Sequence, residues 1–204
     1  MRESFVGAWT QETQLSGPNL HSLRDLNRRF LELAATASGD WACGGGLSTG
    51  ILLRLAPLSR PQREAAADCP YALFDLRFRD AAHWQQRLQN ARHWCVADEP
   101  AQDAATVEFV RLALFYAWHV AASATLVPQL LLGMNNETVA AFRRVALSSL
   151  PELVATEAIN LTARWSNCGA YWSALAGAAS RDDGAELRKV QLYGLQLTAA
   201  ARLS

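Results

Sequence analysis

The sequence predicts an all-α fold: two pseudo-repeated helical units packed as an internal pseudo-dimer, each with room for a short extended segment. Three observations point there. Leucines and aromatics recur at the three- and four-residue steps of amphipathic helices. Half of the residues are hydrophobic and only 19% are charged, which supplies a core and argues against a disordered chain. Short residue groups also return at a nearly constant spacing. Leu23-Arg24 returns as Val110-Arg111, 87 positions on, and Leu33-Ala34-Ala35 as Val120-Ala121-Ala122. Gly46 returns as Gly133 and Arg77-Phe78 as Arg164-Trp165, also 87 apart, and Trp84 as Trp172, 88 apart. In the middle the spacing drifts: Leu58-Ser59 matches Leu147-Ser148, and Ser59-Arg60-Pro61-Gln62 matches Ser149-Leu150-Pro151-Glu152.

The elements follow in order. Residues 1–18 form a polar N-terminal tail ending in the break Gly17-Pro18. The first repeat spans 19–96. Its first helix runs from Leu20 to Ala37, because Leu20, Leu23, Leu26, Phe30 and Leu33 share one face. Gly44 to Gly46 break it. A short helix covers Ser48 to Leu55, and another follows from Pro61 until Pro70. Ser59 with Gln62 three residues later is a capping box, and proline in a first turn gives up only a donor that has no partner anyway. Tyr71 to Phe78 read as extended, and a helix runs from Ala81 to His93.

An acidic, proline-containing linker covers 97–105. The second repeat, 106–204, opens with a long apolar helix from Thr106 to Val127, punctuated by Pro128 and Gly133. Its apolar core, Leu112 to Ala122, is too short to span a bilayer. Helices from Glu137 to Val145 and from Leu150 to Glu157 come next, and Ser149 with Glu152 offers a second capping box. Arg181 to Gly184 turn the chain into a last helix, Ala185 to Arg202.

The second repeat carries a likeness. A long apolar helix leads to Leu132-Gly133-Met134, then Glu137, Ala140 and Ala141. Leu147, Leu150, Leu153 and Ala155 follow, then the Arg164-Trp165 step and the closing helix from Leu187 to Leu203. This order resembles FlhD, the flagellar transcriptional activator subunit. The first repeat resembles it more faintly through Gly46, Leu58, Ser59 and Arg77-Phe78. FlhD chains are about half this length and pair as dimers, so the likeness implies a fused tandem. It also implies a transcription regulator that works with a second, zinc-bearing subunit, which supplies much of the DNA contact.

Charge fits that division of labour. Lys and Arg number 19 and so do Asp and Glu, giving a net charge of zero. A protein that grips DNA alone draws its affinity from phosphate neutralisation, which needs a basic excess. Arg143 and Arg144, just before the helix at Ser149, and Arg54, Arg60 and Arg63 in the first repeat are the candidate DNA contacts. The competing reading is solvated arginines easing helix C-termini. In a helix-turn-helix the second helix reads bases with its first residues. Here those are Ser149, Leu150, Pro151 and Glu152, which make poor base readers. Trp165, Trp172, Trp84 and Phe78 are the candidate partner-interface anchors, since large aromatics dominate such contacts. The expected partner is a regulatory protein, with DNA reached through the complex and further homodimerisation open.

No catalytic or metal site is expected. The cysteines Cys43, Cys69, Cys95 and Cys168 form no C-x-x-C pair. His93 and Cys95 lie two apart, a poor geometry for one metal on a helix. A Cys–His pair would also need a third group to orient its base. His119, on the apolar helix, reads as a core histidine bonded to a carbonyl. No phosphate-binding or dinucleotide motif occurs, and no cofactor is expected. With no signal-peptide pattern, the expectation is a cytoplasmic protein with reduced thiols, in which the sequons at Asn136 and Asn160 carry no meaning. The alternative function is a helical adaptor or chaperone with no nucleic-acid role.

Overall fold

A computed structural model describes residues 17–36, 45–90, 103–123 and 126–203. The fold is all-α, with one two-residue strand pair. Helix α1 (Pro18–Thr36) is followed by α2 (Thr49–Leu55), α3 (Arg60–Ala67), strand β1 (Phe74–Asp75) and α4 (Ala81–Asn90). Then come α5 (Ala104–Ser123), α6 (Leu126–Leu132), α7 (Asn136–Arg143), α8 (Leu150–Glu157), strand β2 (Thr162–Ala163), α9 (Gly169–Ser180) and α10 (Gly184–Leu203). Among the described residues no helix is long and apolar enough to cross a membrane.

Helix α1 forms for the reasons its sequence suggests. Leu23, Leu26, Phe30, Leu31 and Ala34 are buried on one face. On the outer face Asp25 reaches Arg28 and Arg29, and Arg28 also reaches Glu32, the i,i+3 and i,i+4 pairs that favour a helix by tenths of a kcal/mol. The polar exception on the inner face is Asn27. Its amide donates to the carbonyls of Ala67 (3.3 Å) and Tyr71 (2.9 Å) and accepts from the Leu73 amide (2.8 Å). One buried side chain thereby fixes the whole approach from α3 to β1.

Helices α1 and α5 pack against each other at the centre; α2 and α3 pack on α1, and α6, α7 and α8 on α5. The fourth pair crosses over. Helix α4 packs mainly on α7, and α9 packs on α2 and α3 as well as on the following α10. Strands β1 and β2 pair antiparallel between them, Phe74 facing Ala163 and Asp75 facing Thr162. That pairing is unchanged when each residue is exchanged for the one 88 positions away.

Other features coincide at the same offsets. Gly46 and Gly133 hold φ +74° and +75°, the left-handed region that a side chain adopts only at a cost. Ser48 and Asn135 stand immediately before α2 and α7. Arg77 and Trp165 both hold φ +53°. The Trp84 indole donates to the Leu76 carbonyl at 3.1 Å and the Trp172 indole to the Arg164 carbonyl at 2.9 Å. Arg77 therefore shares its conformation with Trp165, and the sequence alignment of Arg77-Phe78 with Arg164-Trp165 is displaced by one residue.

The crossover sets the core. Trp84 lies 4.7 Å from Phe142 and 5.9 Å from Phe78, while Trp172 lies 6.3 Å from Phe30. Phe74 meets Phe109 edge-on at 5.0 Å. Each such ring contributes about 2–3 kcal/mol of apolar burial, so these contacts between halves outweigh any surface ion pair. Trp84, Trp172 and Phe78 are fully buried. Expected as partner anchors, they lie inside the chain instead: Trp84 against Phe78 and Phe142, and Trp172 against Tyr171 and Phe30.

Several boundaries differ from the sequence expectation. Ser59 forms its complete capping box with Gln62. Ser149 does not: it is helical (φ −87°, ψ −15°), its side chain caps nothing, and a single 3-10 turn (Leu147–Ser149) runs directly into α8. Helix α5 starts at Ala104, inside the expected linker, whose residues 97–102 lie outside the described residues, as do tail residues 1–16. Helix α6 has no counterpart in the sequence reading, and neither has α9. Both are apolar around much of their circumference and buried on more than one side, so neither shows the polar-apolar contrast that marks a surface helix. His119 is exposed, which corrects its expected place in the core.

Candidate functional site

The five candidate DNA-contacting arginines do not form one patch with the character of a nucleic-acid groove. Arg54 is exposed on the last turn of α2. Arg60 pairs with Glu64 at 2.9 Å, and Arg63 donates to the Leu58 carbonyl, so both serve α3. Arg143 donates through Nε to the Ala121 carbonyl at 2.7 Å, tying α7 to the end of α5. Arg144 is exposed at the C-cap of α7, where a groove of about 200 Å³ runs between it and Gln85, Leu88 and Gln89 of α4. The two groups belong to different packing units, since α2 and α3 sit on α1 and α9 whereas α7 sits on α5 and α4. Leu150, in the position of a base reader, is fully buried.

Two sites of buried polar chemistry stand out instead. The first joins the halves. Glu157, at the end of α8, is fully buried, and its carboxylate meets His83 Nε2 at 2.9 Å and Arg87 Nε at 3.0 Å, both from α4. The Asn160 amide donates to the same carboxylate at 2.9 Å. A carboxylate without water is tolerated only when surrounded in this way. Nothing local in the sequence joins His83 to a glutamate 74 positions away.

The second is a polar cleft of about 650 Å³ beside β2. Its floor is Arg164, only 7% exposed. The guanidinium lies 4.8 Å from the Trp165 ring and donates through Nη1 to the Leu131 carbonyl at 3.2 Å. Gly133 makes room for it, since a Cβ there would stand 2.6 Å from Nη2. Burial pulls the Arg164 pKa down to about 10, against the field of nearby Asp75, which raises it. Burial also pushes the Asp75 carboxyl above the ordinary range, although the Phe78 amide donates to it at 3.2 Å. Asn135, Asn136, Ser166 and Asn167 add neutral polar groups.

Of the candidate anchors, Trp165 alone reaches a surface feature: half-buried, it lines this cleft and stacks edge-on against Tyr71 (5.2 Å) and Tyr171 (5.1 Å). The Tyr71 hydroxyl lies 3.2 Å from that of Tyr171 and donates to the Gln191 carbonyl at 3.0 Å, which seats α10. Gly194 stands mid-helix because a Cβ there would collide with that hydroxyl.

In the sequence Gly133 marks a helix break, and both Gly133 and Arg164 are positions of the repeat and of the FlhD likeness. Their meeting is a tertiary event with no local signal. Cys69 offers no nucleophile: burial pushes its thiol up to about 12, so it stays protonated. Cys43, Cys95 and His93 lie outside the described residues, among which no group of His, Cys, Asp and Glu is placed to hold a metal ion. Comparison with protein-family models, with curated proteins and with solved structures finds no match to this chain.

Proposed function

We propose that this chain is a cytoplasmic transcription-regulator subunit of FlhD type, in which a duplicated polypeptide carries both halves of a dimer. In this reading it acts on DNA only together with a second regulatory protein. The observation that supports the reading is the crossing of α4 onto α7 and of α9 onto α2 and α3, around a strand pair contributed by both parts of the chain. FlhD-type chains pair as dimers, and in this reading one chain provides both halves. The zero net charge and the dispersed, partly engaged arginines support the second clause, because phosphate binding draws on concentrated positive charge.

The test is affinity capture from source-cell extract, followed by DNA retardation with the captured complex and with the purified chain alone. The expected result is a zinc-bearing regulator or polymerase subunits in the complex. DNA affinity should appear only in the complex and fall steeply with salt. Co-purification of secretion or assembly components, with no salt-dependent DNA affinity in any fraction, would replace this reading with a helical adaptor or chaperone.

A further inference from the structure

The Arg164 cleft goes beyond that reading. A guanidinium has five N–H donors and a charge that costs several kcal/mol to take out of water unless it is compensated. Among the described residues, Arg164 spends one donor on the Leu131 carbonyl, rests on the Trp165 ring, and has no carboxylate within ion-pairing distance. Asp75 acts on it electrostatically without forming an ion pair, and one Asp75 oxygen accepts from the Phe78 amide. Among the described residues the guanidinium is thus left without a directly paired carboxylate, and it lines a cleft of about 650 Å³, within the size range of small-molecule sites.

We propose that this cleft binds a small organic carboxylate, gripped by the Arg164 guanidinium and flanked by Ser166 and Asn167. The planar fork of arginine matches the two oxygens of a carboxylate. Asp75 and Glu137, which share the lining, restrict the negative charge a ligand can carry. A compact carboxylate fits this balance, and a polyphosphate does not. Gly133 is part of the device. Its left-handed backbone leaves the space in which the guanidinium lies, and a side chain there would displace it.

The test uses the full chain and succinate, acetate and benzoate as probes, read by titration calorimetry and by the rise in melting temperature. Sodium chloride at matched ionic strength and inorganic phosphate serve as comparisons. At least one carboxylate should bind saturably and raise the melting temperature, with phosphate weaker. Arg164→Lys keeps the charge and loses the fork, and should weaken binding about tenfold or more. If that variant fails to fold, Asn167→Asp keeps the test alive. Asn167 is exposed, so the fold survives, and the new negative charge at the mouth should weaken binding about threefold or more. Absence of binding for all three carboxylates, phosphate binding as tightly as the best of them, or affinity unchanged in a folded variant would each overturn the proposal. Because the readout is binding to the chain alone, failure here leaves the regulator reading untouched, and the reverse also holds.

Discussion

At the scale of single residues, the most consequential group is a carboxylate. Glu157 has no access to water and is held by His83, Arg87 and Asn160. A buried ion pair of this kind adds little relative to a well-packed apolar substitute, but removing one partner strands the others. Glu157→Ala leaves Arg87, 17% exposed, facing an empty pocket, and should cost about 3 kcal/mol in urea unfolding. The control is the exposed pair Arg60–Glu64, where Glu64→Ala should cost less than about 0.5 kcal/mol. Equal losses in the two variants would mean that the Glu157 site is solvated in solution. Gly46 and Gly133 belong to this scale as well, since their positive φ is a backbone requirement that no packing argument replaces.

Single elements distinguish repeats that look alike in sequence. Ser59 and Ser149 each precede a proline and a Gln or Glu at the capping-box spacing, yet only Ser59 caps. Its hydroxyl accepts from the Gln62 amide, and its own amide donates to the Gln62 side chain at 2.9 Å. At Ser149 the preceding 3-10 turn already holds the backbone in a helical conformation, so α8 has no free end to cap. Ser59→Ala should destabilise by about 1 kcal/mol in thermal or chemical unfolding, whereas Ser149→Ala should change stability by less than about 0.3 kcal/mol. A comparable loss from both would show that α8 starts as its sequence suggests.

For the molecule as a whole, the crossover makes each half incomplete. Residues up to α4 lack the surface of α7 on which α4 rests, and residues from α5 onward lack the α2 and α3 surface beneath α9. A chain cut between Asn90 and Asp103 should therefore yield two fragments that aggregate or stay unfolded singly. Expressed together, they should assemble into a one-to-one complex with helical content close to that of the intact chain. Circular dichroism and size-exclusion chromatography decide this, and a second half that folds alone with full cooperativity would exclude the exchange. The strong contacts between halves are aromatic, as between Trp84 and Phe142 and between Phe74 and Phe109.

By itself the sequence determined the class and most of the elements. Leucine and aromatic spacing laid out α1, α2, α3, α7 and α8, and glycine and proline placed the breaks, because helix periodicity and backbone restriction are local properties. Local reasoning failed where burial is not one-sided. Helices α6 and α9 carry no polar face to reveal their period, and His119 lies exposed on a helix read as interior. It failed again wherever two distant residues make one site. The tertiary structure alone decided that Trp84 and Trp172 face the opposite half, that His83 and Arg87 close on Glu157, and that Gly133 opens the space for a buried Arg164. Those facts depend on how helices cross in space, and the energy that selects them comes from contacts between residues far apart in the chain, such as Leu131 with Arg164 and Glu157 with His83, which no local pattern encodes.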